Sequence, residues 1–294
     1  MIILTLIFII ILCLFPVHVS ESVASSLETC LKSVIPSLFP FVVCSDIIVK
    51  SLRETNSFFL LFLSKIFNIS SVSLWAFIPG ILCGYPVGGK IAIDLYNENL
   101  ISENERDRLL VFANNAGPGF IIGMVGGMFF KDIKTGVFLY FCHILASITY
   151  GIVTGFLSKP LQVLRKRKIT EIPVSCLITE GIKKGVESMI NITGVICFFS
   201  AIISLVDLIP WLSSFKYKGI IFGCFEITNG INIICSTAIS YKLKVTITGF
   251  LLSFSGISIF MQLKSFFEKI NTAAYFKGKL LCGIISSIYC FILL

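Results

Sequence analysis

Charged residues are scarce in this chain of 294 residues, at 14% of the total, whereas soluble domains carry about 25%. Hydrophobic residues make up 56% of the chain, and the mean hydropathy is +0.95. A soluble fold of this length has too little interior to bury that much apolar surface. The composition therefore excludes a soluble protein and predicts a multi-pass protein of the cell membrane.

A basic surface for nucleic acid is also missing. The net charge is +8, but no segment combines a basic stripe with interleaved aromatic residues, so we expect no nucleic acid as a partner. The excess lies in short loops between apolar runs, which is the usual bias of cytoplasmic loops. Lys159–Lys168 holds five basic residues and no acidic one. We therefore predict a basic cytoplasmic linker over residues 159–179.

The amino-acid sequence contains no recognisable catalytic or metal-binding motif. The eleven cysteines form no C-x-x-C pair, and most lie in apolar runs, where free thiols behave as small hydrophobic groups. The chain has no H-E-x-x-H, no G-x-S-x-G and no motif with paired catalytic carboxylates. His18 and His143 are interpreted as packing residues. We therefore predict no enzymatic activity, no metal and no cofactor.

Long apolar runs do occur, and they match the roughly 20 residues needed to cross a bilayer. The first, residues 1–19, has no basic residue before its apolar core, so we interpret it as an uncleaved transmembrane helix and not as a signal peptide. Residues 271–294 are predicted as a C-terminal transmembrane helix. Two further runs lie at 135–158 and 186–209.

Four other apolar segments are interrupted by glycine, proline and polar residues, at 72–95, 109–130, 218–240 and 244–263. Unpaired backbone groups cost several kcal/mol in hydrocarbon, so irregular backbone survives there only when protein or a watery cavity covers it. Such interruptions are typical of the broken or re-entrant helices around which transporters build a central site. The sequence thus predicts an all-α polytopic protein with about eight to ten membrane segments.

The order of these segments repeats along the chain. Residues 20–158 and residues 180–270 each begin with an amphipathic entry and a span, and each continues with two interrupted segments. We interpret them as two related halves that the basic linker joins.

The stretch Gly84–Lys90 has the spacing of a phosphate-binding loop, G-x-x-x-x-G-K. Ile91 stands where such loops have Ser or Thr for magnesium, and Pro86 removes one backbone N–H from the cradle. We therefore interpret the stretch as a bend whose glycines allow close backbone approach. Lys90 and Asp94 are one helical turn apart and should pair.

The segment Asn97–Arg108 is the other well-charged stretch. Ser102 and Glu105 fit a capping box that opens a helix. We interpret the segment as a solvated turn between two membrane segments, with no chemistry assigned to it.

Polar residues at the interruptions are the candidate site. They could bind a solute, or they could satisfy freed backbone groups and bond neighbouring helices. For Glu226 and Asn229 we favour a position facing a cavity, because a carboxyl group at that depth needs a partner. The candidate solute-binding residues are Tyr85, Lys90, Asp94, Asn114, Asn115, Glu226, Asn229, Ser253 and Ser255.

Five motifs carry a family resemblance over about residues 20–270: "FPFVVCSDIIV", "GYPVGGKIAIDLY", "FANNAGPGFIIGMVGG", "FEITNGI" and "SFSGISIFMQ". They resemble the YlbJ-type sporulation integral membrane proteins. These are similar to nucleoside-recognition (Gate) domains, which include concentrative nucleoside transporters and the membrane part of ferrous-iron transporters. The resemblance implies an endospore-forming bacterium, a role in spore formation, and two halves with re-entrant hairpins whose tips and broken helices contact the ligand.

The expected function is to move or recognise a small polar solute across a membrane during sporulation, with a nucleoside-like solute as one candidate. The alternative is a non-transporting scaffold or assembly factor for the spore envelope. Interrupted helices favour transport, because a scaffold does not need them. The expected partners are the solute, the lipid bilayer, and either further copies in a homo-oligomer or other sporulation membrane proteins.

The basic linker generates a prediction about topology. In a variant without other accessible cysteines, Gln162→Cys should react with a membrane-impermeant thiol reagent only after the cells are opened, because the five basic residues hold the loop in the cytoplasm. Labelling of intact cells from outside would contradict this orientation.

Overall fold

A computed structural model describes residues 2–51, 58–158 and 173–294, and within these ranges the chain forms helices and no strand. The helices are α1 (Ile2–Leu14), α2 (Pro16–Thr29), α3 (Ile35–Ser51), α4 (Phe58–Phe67), α5 (Leu74–Cys83), α6 (Val87–Asn97), α7 (Glu103–Phe112), α8 (Ile133–Leu157), α9 (Val174–Val206), α10 (Pro210–Ser213), α11 (Lys218–Phe225), α12 (Ile227–Ser236), α13 (Tyr241–Phe254), α14 (Gly256–Phe266) and α15 (Thr272–Leu293). A 3-10 turn lies at Ser71–Ser73, and π-helical stretches lie at Cys30–Val34 and Gly119–Phe130. The predicted all-α fold is confirmed.

The basic segment Lys159–Lys168 lies outside the described residues, so its cytoplasmic position stays a prediction. The division of the chain into two related halves also stays a prediction.

Several described helices are long and apolar enough to cross a membrane. Four meet this criterion singly, at Ile133–Leu157, Val174–Val206, Tyr241–Phe266 and Thr272–Leu293, and two bent helix pairs raise the number to six. The polytopic class is therefore confirmed. The larger predicted number of segments also counted shorter broken pieces, which this criterion leaves out.

The first apolar run is not one straight helix. It breaks at Phe15, and α1 and the following helix are bent by 94°. Pro16 is the first residue of α2; proline has no N–H to continue the preceding helix, and it restricts the residue before it to non-helical angles. The prediction of one continuous transmembrane helix over residues 1–19 is therefore wrong, because the first helix ends at Leu14 and a second begins at Pro16.

The four predicted interruptions are present. Helices α5 and α6 form a hairpin with Gly84–Pro86 at its tip, and α11 and α12 form a second hairpin with Glu226 at its tip. Helix α7 is separated from the π-helical stretch Gly119–Phe130 by irregular backbone at residues 113–117, and α13 is separated from α14 at Ser255. Hairpin, broken helix and long helix thus follow one another twice along the chain.

Helix α9 packs against α2 and α3 beside these elements. The buried Asp46 on α3 joins the two sides, because its carboxylate lies 2.9 Å from Lys50 Nζ and 2.7 Å from Lys184 Nζ. Lys50 also pairs with Glu180 of α9. This ion-pair network fastens α3 to α9.

The charged segment Asn97–Arg108 is less solvated than predicted. Ser102 does cap α7, since its Oγ accepts from the N–H of Glu105 at 3.3 Å. The Glu105 carboxylate, however, is buried and accepts from the Ser70 N–H and the Ser73 O–H, both at 2.5 Å. It therefore fastens α7 to the bend before α5 and does not complete a capping box.

Arg106 is likewise buried, with 1% of its surface exposed. Its guanidinium lies 4.3 Å from the centre of the Tyr96 ring and 4.9 Å from that of Phe267, and it pairs with Asp107 at 2.6 Å. Aromatic faces stabilise a desolvated cation in this geometry. The prediction of a solvated turn is wrong for Glu105 and Arg106, because tertiary packing covers both.

Gly88 allows the first hairpin to approach the interruption after α7. A Cβ atom at Gly88 would lie 2.0 Å from Ala113 O and 2.8 Å from Gly80 Cα. Backbone atoms cannot move aside as a flexible side chain can. The predicted close approach is confirmed, and it holds hairpin and interruption together.

Replacing Gly88 should therefore damage the fold. We expect Gly88→Val to destabilise the protein by at least about 1–3 kcal/mol through overpacking, measured as a lower midpoint of thermal unfolding in detergent. Gly194→Val is the matched control, because a Cβ at Gly194 meets no atom within 4 Å. Equal midpoints for the two variants would contradict the close approach.

Candidate functional site

A cavity of about 380 Å³ lies where both hairpin tips meet both broken helices. Its walls come from α2, α3, α9 and α14, from the two hairpin tips, and from the π-helical stretches Cys30–Val34 and Gly119–Phe130. Most of the lining is apolar, with Phe41, Phe120 and Met124 among the larger side chains. The polar side chains in the lining are Thr29, Tyr85, Glu226, Thr228 and Gln262.

Glu226 presents its carboxylate from the tip of the second hairpin. Its backbone is extended, with φ −141° and ψ 118°, and its two carboxylate oxygens accept from the N–H groups of Thr228 at 3.0 Å and Asn229 at 2.9 Å. Only 4% of Glu226 is exposed. A carboxylate has about four acceptor positions. The N-cap bonds therefore fix its orientation and leave further acceptor capacity for a bound molecule.

Tyr85 belongs to the tip of the first hairpin, between Gly84, whose φ is 89°, and Pro86. Its hydroxyl is buried and has no hydrogen-bond partner among the described residues. A buried hydroxyl without a partner costs about 1–3 kcal/mol. The phenol is therefore a group that a bound solute could satisfy.

Two of the nine sequence-predicted residues, Tyr85 and Glu226, line the cavity. The structure places the other seven outside its lining: Lys90, Asp94, Asn114, Asn115, Asn229, Ser253 and Ser255. Lys90 and Asp94 form the expected pair at 2.8 Å. Asn229 Nδ2 lies 3.4 Å from Ser200 Oγ on α9. Each hairpin and broken helix presents more than one face to the protein, so a polar residue at an interruption need not face the cavity.

The serines of the second interruption also face protein. The backbone of Ser255 has the left-handed helical conformation, with φ 72°. Its buried hydroxyl has no hydrogen-bond partner among the described residues. Gly256 follows with φ 76°, and a Cβ there would lie 3.0 Å from Gly223 O. The break thus packs against the second hairpin, and Ser253 and Ser255 do not face the cavity with Glu226 as expected.

The backbone groups freed after α7 are satisfied by side chains. Phe112 O accepts from Asn115 Nδ2 at 2.8 Å and from the Ser147 hydroxyl. Asn114 O accepts from Lys279 Nζ at 2.6 Å. The alternative that the asparagines satisfy backbone groups therefore holds for Asn115. The amide of Asn114 is buried, with no hydrogen-bond partner for either polar atom in the described part of the chain.

His143, on α8, forms hydrogen bonds at the same interruption. Its Nε2 accepts from the Ala116 N–H at 3.0 Å, and its Nδ1 lies 2.7 Å from Ser253 Oγ. Because Nε2 is an acceptor, the ring is neutral and its proton is on Nδ1, which donates to Ser253. His143 therefore joins the first interruption to α13, in agreement with the packing role predicted for it.

Sequence reasoning missed four residues of this region. Thr29, Thr228 and Gln262 line the cavity, although Thr228 and Gln262 belong to quoted motifs. Lys279 is buried in α15, and a lysine inside the terminal apolar run was a usable signal, since charges in spans are expensive. Among the described residues, no group of three or more His, Cys, Asp or Glu side chains is placed to hold a metal ion.

Comparison with known proteins identifies one relative. The "Sporulation integral membrane protein YlbJ" of Bacillus subtilis (strain 168) is 26% identical over 314 residues, covering 93% of this chain and 77% of the relative. No family model and no solved structure matches the chain. The similarity confirms the YlbJ-type resemblance and the multi-pass membrane localisation. The wider likeness to Gate domains stays a prediction.

The contacts of His143 generate a prediction about stability. His143→Ala leaves the buried Ala116 N–H without its acceptor, so we expect a loss of about 1–3 kcal/mol, measured by thermal unfolding of the purified protein. The control is His18→Ala, because His18 is exposed on α2. An unchanged midpoint for His143→Ala would show that the interruption does not depend on this ring.

Proposed function

We propose that this chain, a YlbJ-type integral membrane protein, takes part in spore formation by binding a small polar solute between its two hairpin tips and moving it across the membrane. One observation carries the proposal: Tyr85 and Glu226, from hairpins far apart in sequence, line one cavity together with the broken helices. Transporters form their sites from such discontinuous helices near the middle of the bilayer.

The size of the cavity supports a small ligand. Ligand pockets hold about 300–1,000 Å³ and combine mostly apolar walls with a few polar groups that fix orientation. The volume here, about 380 Å³, is at the low end of that range. The apolar lining and the few polar side chains match the general description of a ligand site.

The charge of the lining favours a solute that donates hydrogen bonds. Among the described residues of the lining, Glu226 is the one acidic residue, and none is Lys or Arg. A carboxylate accepts hydrogen bonds, while the Tyr85 hydroxyl and the Gln262 amide can donate or accept. A solute bearing hydroxyl or amino groups fits this set. A nucleoside carries such groups and is one candidate, which the resemblance to Gate domains also suggests.

The proposal is that the protein binds the solute without converting it chemically. Hydrolytic mechanisms with carboxylates use two of them across the reacting bond, and nucleophilic mechanisms pair a nucleophile with a base. Glu226 is committed to the N-terminus of α12, and the described part of the cavity lining contains no histidine and no second carboxylate. This arrangement supports recognition and passage of the solute, and not its conversion.

The experiment is complementation in an endospore-forming bacterium that lacks its own YlbJ-type protein. We expect Glu226→Gln to reduce heat-resistant spores strongly while the protein still accumulates in the membrane. Hydrogen bonds to charged groups contribute about 1.5–3 kcal/mol, which corresponds to roughly a 10- to 140-fold loss of solute affinity. Tyr85→Phe removes only a hydroxyl that has no hydrogen-bond partner among the described residues, so it should weaken function without lowering accumulation.

Glu187→Gln is the matched control, because Glu187 is exposed on α9, away from the cavity lining. It should sporulate as the unaltered protein does. Normal spores from both Glu226→Gln and Tyr85→Phe would contradict the solute site and support the scaffold alternative. Degradation of Glu226→Gln would show that this residue is needed for the hairpin itself.

A further inference from the structure

Lys279 is a buried ammonium group in a helix long and apolar enough to span the membrane. One per cent of the residue is exposed, and its one hydrogen bond within the described residues goes to Asn114 O at 2.6 Å. In the described part of the chain it forms no ion pair with an acidic side chain. An intramembrane charge without a counter-ion is costly. The position therefore calls for a specific role of the ammonium group.

The acceptor lies just beyond the end of a half-helix. Helix α7 ends at Phe112, and Asn114 O belongs to the irregular backbone that follows. Carbonyls at such an end lack partners within the helix and carry partial negative charge. Unwound carbonyls at half-helix ends are the groups with which transporters coordinate coupling cations. The Nζ atom of Lys279 occupies the corresponding position.

We propose that Lys279 is a tethered cation: its ammonium fills, at the end of α7, the place that a free monovalent cation would otherwise take. The interruption after α7 is then stabilised by a side chain of the protein itself and not by a bound ion. It follows that solute binding in the cavity needs no coupling sodium ion, and this consequence alone rests on the proposed function.

The neighbours of Lys279 fit a lone cation. Among the described residues, the titratable groups near enough to influence Lys279 electrostatically are His143 on α8 and Cys282 on α15. His143 is neutral because Nε2 accepts a hydrogen bond, and Cys282 is a buried thiol. Neither supplies the negative charge that a salt bridge needs. The partial charge of carbonyl oxygen is therefore what the ammonium neutralises.

The test is thermal unfolding of the purified full-length protein in detergent, in chloride salts of equal ionic strength. The salts are those of sodium, potassium, n-propylammonium and tetramethylammonium. In tetramethylammonium, which has no N–H donor, we expect Lys279→Ala to unfold about 3–10 °C below the unaltered protein. Sodium or n-propylammonium should restore at least half of that loss, because either can enter the space that the side chain leaves. The unaltered protein should unfold at one temperature in all four salts.

Two variants serve as controls. Lys277→Ala removes an exposed lysine two positions earlier on α15 and should leave the midpoint unchanged. Lys279→Met removes the charge but fills the space, so it should be destabilised and should not respond to any cation. If Lys279→Ala does not accumulate, Lys279→Arg and Lys279→Met replace it, and only the arginine variant should accumulate.

Four results would overturn the proposal. Sodium could stabilise the unaltered protein relative to tetramethylammonium, which would reveal a separate cation site. Lys279→Ala could unfold at the unaltered temperature, or its loss could persist in every salt. Equal accumulation of Lys279→Arg and Lys279→Met would also contradict it. These readouts measure stability, so failure of the solute proposal would leave them interpretable.

Discussion

The peptide groups freed between α7 and the following π-helix are the constraint on which the rest of the structure depends. In hydrocarbon each unpaired group costs several kcal/mol, and here they receive partners from two long helices. His143 and Ser147 reach them from α8, and Lys279 reaches them from α15. These three contacts determine how α8 and α15 lie against the interruption, so a local break in one helix sets the packing of the helices around it.

Close approach between backbone segments also fixes the positions of the two hairpins relative to the interruptions. Gly88 places the first hairpin against Ala113, at the first interruption, and Gly256 places the second interruption against Gly223. Both tips are thereby brought to one region, where their polar groups line the cavity. The breaks in the helices and the cavity are thus two aspects of one arrangement, since irregular backbone in a membrane is tolerated where it borders a cavity or is buried in protein.

Much of this architecture was predictable from local pattern. Apolar composition indicated the membrane class, and clusters of glycine, proline and polar residues marked each interruption because these residues disfavour continuous helix. The i, i+4 spacing of Lys90 and Asp94 predicted their ion pair, and a carboxylate in an apolar run marked Glu226 as a candidate site residue, which the structure places in the cavity lining. The bend at Phe15 was less evident, because the hydropathy of residues 1–19 runs on past Pro16.

What the sequence by itself determined is therefore where helices form, where they break, and that a carboxylate lies at one of the breaks. The tertiary structure decided which polar side chains reach the cavity and which form hydrogen bonds with the backbone groups freed at the interruptions. Asn114 and Lys279 are 165 residues apart, and His143 and Ser253 are 110 apart. Helical periodicity relates residues within a few turns of one helix. Contacts between distant helices depend on how those helices pack, so Gln262 and Lys279 acquire their roles only in the folded protein.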